Sequence, residues 1–356
     1  MTMPKIRLFH IEVSNACNFR CEFCPTTVTK RKPLSIPLPL FKKIVDQVAE
    51  NRLSRCIMLH VLGEPLLYAD VISAVRYASD RQLKVIITTN GSLLNEEMIV
   101  ALNDGGLYSM DISLQLLGKN RHISRHAGLS FEDYYRHVME SVMESVRMIR
   151  EKTDIQLIVK VMNTVSGRLF SLDKPLAFAQ QGRGFRMLVH HLIMDLYGAT
   201  RFDIQEREVA DKLKSVNLNS AVRIRLDEKL HVFVQLFIDW GNAFCKRTVH
   251  PAKFGSCSFA FTAPAVLSDG SVVMCCADYD GHTTLGHIDD GPLASILNSE
   301  RTNYLWSGFE KYRLRHLYCQ RCLGSSNRFL AWGKGLGSIL VSKFMKLEGE
   351  NQAIIR

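Results

Sequence analysis

Cys17, Cys21 and Cys24 stand in the run Cys17-Asn-Phe-Arg-Cys21-Glu-Phe-Cys24, a C-x3-C-x2-C spacing on the loop expected to leave the first strand. Cysteine thiolates are the usual ligands of iron–sulfur clusters, and three are one fewer than a four-iron cube needs to be closed by protein. An iron without a protein ligand can bind and polarise a small molecule directly. With ten cysteines in 356 residues, three within eight positions are not scattered core packing. Zinc would accept the same thiols if a distant fourth ligand joined them, so spacing alone leaves that metal open.

The run resembles that of the radical S-adenosylmethionine (SAM) superfamily. The resemblance implies that the open iron chelates the amino and carboxylate groups of SAM, and that Phe23 lies against the adenine. Gly63-Glu64-Pro65 resembles the family's motif for the methionine amino group, with Leu62 where many members have another glycine. In that role glycine lets the backbone approach closely and the carboxylate accepts from an ammonium. Asp111-Ile-Ser113-Leu-Gln115 resembles the segment whose polar side chains, here Ser113 and Gln115, reach the ribose and methionine of SAM. Arg125, in Arg125-His-Ala-Gly128-Leu-Ser130-Phe131, is placed by the same resemblance to pair with the SAM carboxylate, and Asn163 to contact SAM. Thr89-Asn90-Gly91 is also familiar from the family, and its main role is read as a turn, because Asn-Gly readily adopts positive φ.

Cys257, Cys275, Cys319 and Cys322 form a second set, with Gly270-x4-Cys275 after a Ser268-Asp269-Gly270 turn and a closing Cys319-Gln-Arg-Cys322. Four thiolates close one four-iron cluster, and they would equally satisfy a structural zinc ribbon. The segment resembles the C-terminal SPASM and Twitch extensions of radical SAM enzymes. The cysteines that a second auxiliary cluster needs do not follow Cys322, so the shorter Twitch form with one auxiliary [4Fe-4S] cluster is expected. The glycine spacing favours Cys275 over its neighbour Cys276, and a swap between them is left open.

These loops need a scaffold that presents strand ends on one side. Apolar runs near 6–13, 56–62, 84–89, 108–114, 155–161 and 186–192 read as strands. Between them Phe41, Ile44 and Val48, then Val71 and Val75, then Ile99 and Leu102 keep helical spacing. Asn95 is a candidate cap and Gly105 a stop for the third helix, and a fourth is expected after Ser130 through Val138, Val142, Val146 and Ile149. Repeated βα units predict an α/β fold with parallel strands, and the family resemblance implies that six of them form a partial (β/α)6 TIM-like barrel followed by a small α+β domain. The expected division is barrel 1–200, bridge 201–250, auxiliary domain 251–325 and tail 326–356, with an apolar patch at Ile339, Leu340 and Val341. Functional groups in such folds sit at the carboxyl ends of strands, where the first cysteine loop falls.

Composition agrees with an enzyme of this size. At 47% hydrophobic and 22% charged the chain can bury a large core. No apolar run approaches the roughly 18 residues of a membrane span, and the first residues lead into a strand without a signal-like stretch. A cytoplasmic, reducing setting is therefore expected. The formal charge of +10 is spread along the chain rather than blocked with aromatics, which argues against nucleic acid. It suits an anionic small molecule and an acidic electron donor such as flavodoxin or ferredoxin.

The resemblance implies reductive cleavage of SAM to a 5′-deoxyadenosyl radical and hydrogen abstraction from a substrate. Oxidation of a small carbohydrate-like alcohol or amine, with the auxiliary cluster accepting an electron, is the leading expectation. Its candidate proton acceptors are His190, His191, Asp195 and Tyr197, after the sixth predicted strand. An epimerase would instead need a thiol donor, and Cys245 is the better placed of the spare thiols, since Cys56 reads as core. A ribosomal-peptide maturase is the rival, weighed down because the barrel starts within the first dozen residues with no leader-binding domain before it. A non-catalytic metal scaffold would have no use for a SAM pocket.

Overall fold

Alternation along the strands sets the architecture. In Lys84–Thr89 the side chains of Val85, Ile87 and Thr89 are buried while those between them are more open, the period of a strand with one face covered by helices. The computed structural model describes residues 6–21, 23–115, 133, 135–163, 183–200, 205–236, 239–344 and 352–354. Strands β1 (Phe9–Ile11), β2 (Cys56–Met58), β3 (Lys84–Thr89), β4 (Ser109–Gln115) and β5 (Gln156–Asn163) pair in parallel in chain order.

Helices α1 (Leu38–Glu50), α2 (Val71–Ser79), α3 (Glu96–Asp104) and α4 (Ser141–Lys152) connect these strands. Each buries a stripe such as Phe41, Ile44, Val45 and Val48 of α1. The Asn95 side chain accepts from Met98 N at 2.8 Å and caps α3, and Gly105 ends it.

The sixth predicted strand is a correction. Residues 186–192 lie inside helix α5 (Arg183–Ala199), whose buried residues Phe185, Val189, Leu192, Ile193, Leu196 and Tyr197 follow a helical period. The dense apolar run there hides that period when read over seven residues. The sixth parallel strand is β7 (Leu230–Leu236), paired with β5. Before it come α6 (Glu206–Lys214) and β6 (Val222–Arg225), and β6 lies antiparallel on the outer side of β7. A last strand, β11 (Gln352–Ile354), pairs in parallel with β6.

At the opposite edge β8 (Ala265–Val266) pairs in parallel with β1, and the meander β8, β9 (Ser271–Val273) and β10 (Thr284–His287) continues the same sheet. The C-terminal cysteine region is therefore hydrogen-bonded to the first barrel strand. Helices α7 (Leu293–Leu297), α8 (Glu300–Glu310), α9 (Leu317–Cys322) and α10 (Arg328–Phe344) follow β10. Among the described residues no helix is long and apolar enough to cross a membrane.

Candidate metal and cofactor sites

The loop after β1 carries Cys17, Cys21 and Cys24, and the three thiols lie near enough for their thiolates to repel one another. Burial, with added repulsion from Glu64, Cys24 and Cys21, pushes the Cys17 thiol up to about 12, while the Phe19 N–H counters the rise. That N–H donates to Cys17 Sγ at 3.4 Å and the Asn90 amide donates at 3.9 Å. Bound iron would reverse the balance, because its positive charge offsets gathered thiolates and ligating cysteines deprotonate. Donors to sulfur are one of the means by which protein tunes a cluster. The donor set thus fits an iron–sulfur group held by three thiolates. Phe23 is buried in the hydrophobic core.

Gly63 sits against the backbone that leads into Cys17. Its φ is +82°, and a Cβ there would fall 2.2 Å from Ser14 O and 2.7 Å from Ala16 O. Glu64 N then donates to Ala16 O at 2.7 Å. The Glu64 carboxylate is buried, with Oε1 accepting from Leu66 N at 3.1 Å and Thr89 Oγ1 at 2.8 Å, and Oε2 from Asn90 N at 2.7 Å. Both oxygens therefore tie the ends of β2 and β3 together. Pro65 opens the short 3-10 turn that follows. Asn90, read from sequence as part of a turn, also braces Asn18 through its amide at 2.8 Å.

Ser113 lies on β4 opposite Lys160 of β5. Gln115 ends β4, and Arg125 lies outside the described residues. Asn163 closes β5, buried, and its amide nitrogen donates to Leu218 O at 2.7 Å, which anchors the loop before β6.

Cys257, Cys275, Cys319 and Cys322 come together from four places: a loop, the end of β9, and the two ends of a turn in α9. Every pairing among the four is close enough for mutual repulsion, and Cys276 also repels its neighbour Cys275. Burial first, then repulsion from Cys276 on Cys275 and from Asp239 on Cys322, with the other thiols of the set adding to both, pushes these two well above the ordinary thiol range. Gly270, with φ +93°, makes the β8–β9 turn beneath His287, where a Cβ would meet Nε2 at 2.6 Å. Asp278 shapes the loop after Cys275 by accepting from His282 N at 3.0 Å and Thr283 Oγ1 at 2.7 Å. Among the described residues no three His, Cys, Asp or Glu converge on one point as ligands of a single metal ion.

Two residues not singled out by sequence join the sites. Glu12, fully buried just after β1, receives Arg31 Nη1 at 3.0 Å and Nη2 at 2.6 Å. Its Oε2 also accepts from Ser268 N at 3.0 Å and Ser268 Oγ at 2.9 Å, in the auxiliary hairpin. Arg31 reaches Tyr279 O at 3.2 Å as well, and Thr29 donates to Asp280.

The proposed proton acceptors are not brought to these sites. His190 and Asp195 lie on α5, away from its buried side, with His191 and Asp195 exposed and His190 Nε2 3.2 Å from Glu206 O. Tyr197 is buried in the packing of the same helix. Their placement follows from the helix that replaces the expected strand. Cys245 is buried, with its Sγ 3.5 Å from Arg247 O.

Residues 11–165 match the family model of the radical SAM superfamily, and residues 257–323 match that of the iron–sulfur cluster-binding domain SPASM. The chain thus carries a radical SAM domain followed by a C-terminal SPASM domain. The first domain implies a [4Fe-4S] cluster and SAM, and the second an auxiliary iron–sulfur site.

Among curated relatives, the AdoMet-dependent heme synthase of Methanosarcina barkeri is 30% identical over 117 residues, 33% of this chain and 33% of that protein. The S-adenosyl-L-methionine-dependent 2-deoxy-scyllo-inosamine dehydrogenase of Niallia circulans is 28% identical over 117 residues, 32% of this chain and 47% of that one. The chain thus spans a third to under half the length of these relatives. Among solved structures, BtrN with AdoMet and 2-DOIA superposes with TM-score 0.52 at 16% identity, covering 87% of this chain and 89% of that one. Streptococcus suis SuiB bound to precursor peptide SuiA gives 0.55 at 14%, covering 90% and 71%. These likenesses establish the fold: a radical SAM α/β parallel sheet followed by the SPASM region.

Proposed function

We propose that the chain is a radical SAM oxidoreductase that oxidises a small hydroxylated or aminated, carbohydrate-like molecule by two electrons. The observation that carries this reading is the pairing of a three-thiol site with a separate four-thiol site on one continuous sheet, latched through Glu12, Arg31 and Ser268. When bound, the cluster and SAM supply a 5′-deoxyadenosyl radical that takes a hydrogen atom from a substrate carbon. Cys17, Cys21 and Cys24 hold that cluster, with Phe19 N–H and Asn90 on the sulfur of Cys17. Gly63 keeps the loop backbone close, and Phe23, Ser113, Gln115, Arg125 and Asn163 are assigned to SAM.

Cys257, Cys275, Cys319 and Cys322 hold a closed auxiliary [4Fe-4S] cluster. With four thiolates on it such a site has no vacant position for substrate, which suits electron acceptance. A relative named as a 2-deoxy-scyllo-inosamine dehydrogenase supports the choice of an oxidised alcohol. The reductant is an acidic flavodoxin or ferredoxin, drawn by the chain's charge of +10.

Turnover in deuterated water tests the outcome. The reading expects a carbonyl or imine product two hydrogens lighter than substrate. Unchanged mass apart from deuterium on an inverted carbon, lost in Cys245→Ala, would replace it with epimerisation. Turnover of peptides alone would replace it with peptide modification.

A further inference from the structure

Three buried carboxylates described above, Glu12, Glu64 and Asp278, have both oxygens satisfied and serve the fold. Asp111 is different. It is 3% exposed, its Oδ2 receives Lys160 Nζ at 2.6 Å, and its Oδ1 has no hydrogen-bond partner. An unmet oxygen on a buried carboxylate is costly, since such a group can accept at both oxygens.

Strand alternation fixes where this pair points. On β4, Met110, Ile112 and Leu114 are fully buried in the hydrophobic core that includes the helix stripes, as are Leu157, Val159 and Val161 on β5. Asp111 and Ser113, and Ile158 and Lys160, therefore occupy the other face of the sheet, with Ser113 opposite Lys160. The Lys160 side chain keeps 15% of its surface open, and an ammonium carries three donors. His10, on β1, and His60, after β2, lie within electrostatic reach of the same ammonium, and His10 Nδ1 is 2.9 Å from His60 O. Burial, and secondarily Lys160, holds the His10 imidazole down to about 4, so it is neutral at pH 7.

We propose that Asp111 Oδ1 and Lys160 Nζ form a substrate-anchoring pair for adjacent polar groups on a polyhydroxylated ring. Oδ1 accepts from an ammonium or hydroxyl, and Nζ donates to the neighbouring hydroxyl oxygen. The pair has one acceptor beside a cation with donors to spare, which matches a vicinal amino alcohol or diol. The inference rests on the small-molecule reading above and names the residues that select within it.

Calorimetric titration of the reconstituted holoenzyme with a mono-aminated inositol and with inositol tests the pair. Saturable binding is expected, weakened at least tenfold for the amine by Asp111→Asn and less for inositol, as charged hydrogen bonds exceed neutral ones. Lys160→Arg should stay within about threefold, while Lys160→Met weakens both probes. The Asp111→Asn/Lys160→Met double variant leaves no buried unpaired charge, and its thermal melt shows whether lost binding reflects lost folding. Equal affinity in wild type and Asp111→Asn, or no saturation by either probe, overturns the proposal. Amine binding through Asp111 without any carbonyl product would keep the anchor and defeat the oxidation reading. Oxidation with an unchanged KM in Asp111→Asn would do the reverse.

Discussion

The Glu12 carboxylate is held by both hydroxyl and backbone N–H of Ser268, at 2.9 and 3.0 Å, across 256 residues of sequence. Arg31, from the segment after the first cysteine loop, closes the same carboxylate as a fork, so one buried anion joins barrel strand, cysteine loop and auxiliary hairpin. Parallel pairing of β1 with β8 gives that junction a backbone as well as a side-chain basis.

Removing Arg31 strands the buried Glu12 charge. Arg31→Met should destabilise the chain by about 3–5 kcal/mol, the usual cost of breaking a buried pair from one side. Ser268→Ala should cost about 1–3 kcal/mol, because Leu62 N, which donates to Glu12 Oε1 at 3.3 Å, and Arg31 still serve Glu12. Denaturant midpoints measure both. A difference under half a kcal/mol for Arg31→Met would mean the latch is not structural.

Gly63→Ala should disturb the cysteine loop rather than the sheet. The new Cβ would overlap Ser14 O at 2.2 Å in a left-handed backbone conformation. Strain of about 1–3 kcal/mol plus displacement of the segment before Cys17 is expected. The readout is iron retained at the first site, which should fall while the auxiliary site keeps its iron.

Burial leaves His10 neutral in the folded chain, with its pKa lowered from 6.5 to about 4. The unfolded chain then binds the extra proton between these values, so stability rises with pH across that window and is lost as pH falls through it. Between pH 7 and 5 the loss from His10 is on the order of 2 kcal/mol. His10→Asn keeps an N–H for His60 O and does not titrate, so its melting temperature should fall less steeply over the same range. Parallel slopes would contradict the buried neutral imidazole.

The choice between Cys275 and Cys276 is decided by iron. Cys275 lies within repelling distance of Cys257, Cys319 and Cys322. Cys275→Ala should lose the auxiliary cluster and substrate turnover while SAM cleavage persists, and Cys276→Ala should keep about four irons there. The opposite pattern would move the ligand by one residue.

Local signals carried the parts of this molecule that were legible in its sequence. The spacing of Cys17, Cys21 and Cys24, the Asn95 cap and the apolar runs of β3 and β4 depend on neighbours a few residues away. The α5 helix was misread because Leu188 to Ile193 is apolar enough to look like a strand, and with it went the placement of His190 and Asp195. Asp111 with Lys160, and Glu12 with Ser268, were illegible for another reason: sheet register creates those pairs, and no spacing along the chain announces them.

Iron counting on anaerobically reconstituted protein, with SAM cleavage followed under reduction, tests the central claim most directly. The account predicts about eight irons per chain in wild type, and about four with no SAM cleavage when Cys17, Cys21 and Cys24 are all replaced by Ala. Stoichiometric zinc in the anaerobically purified chain, with no iron taken up on reconstitution, would contradict it.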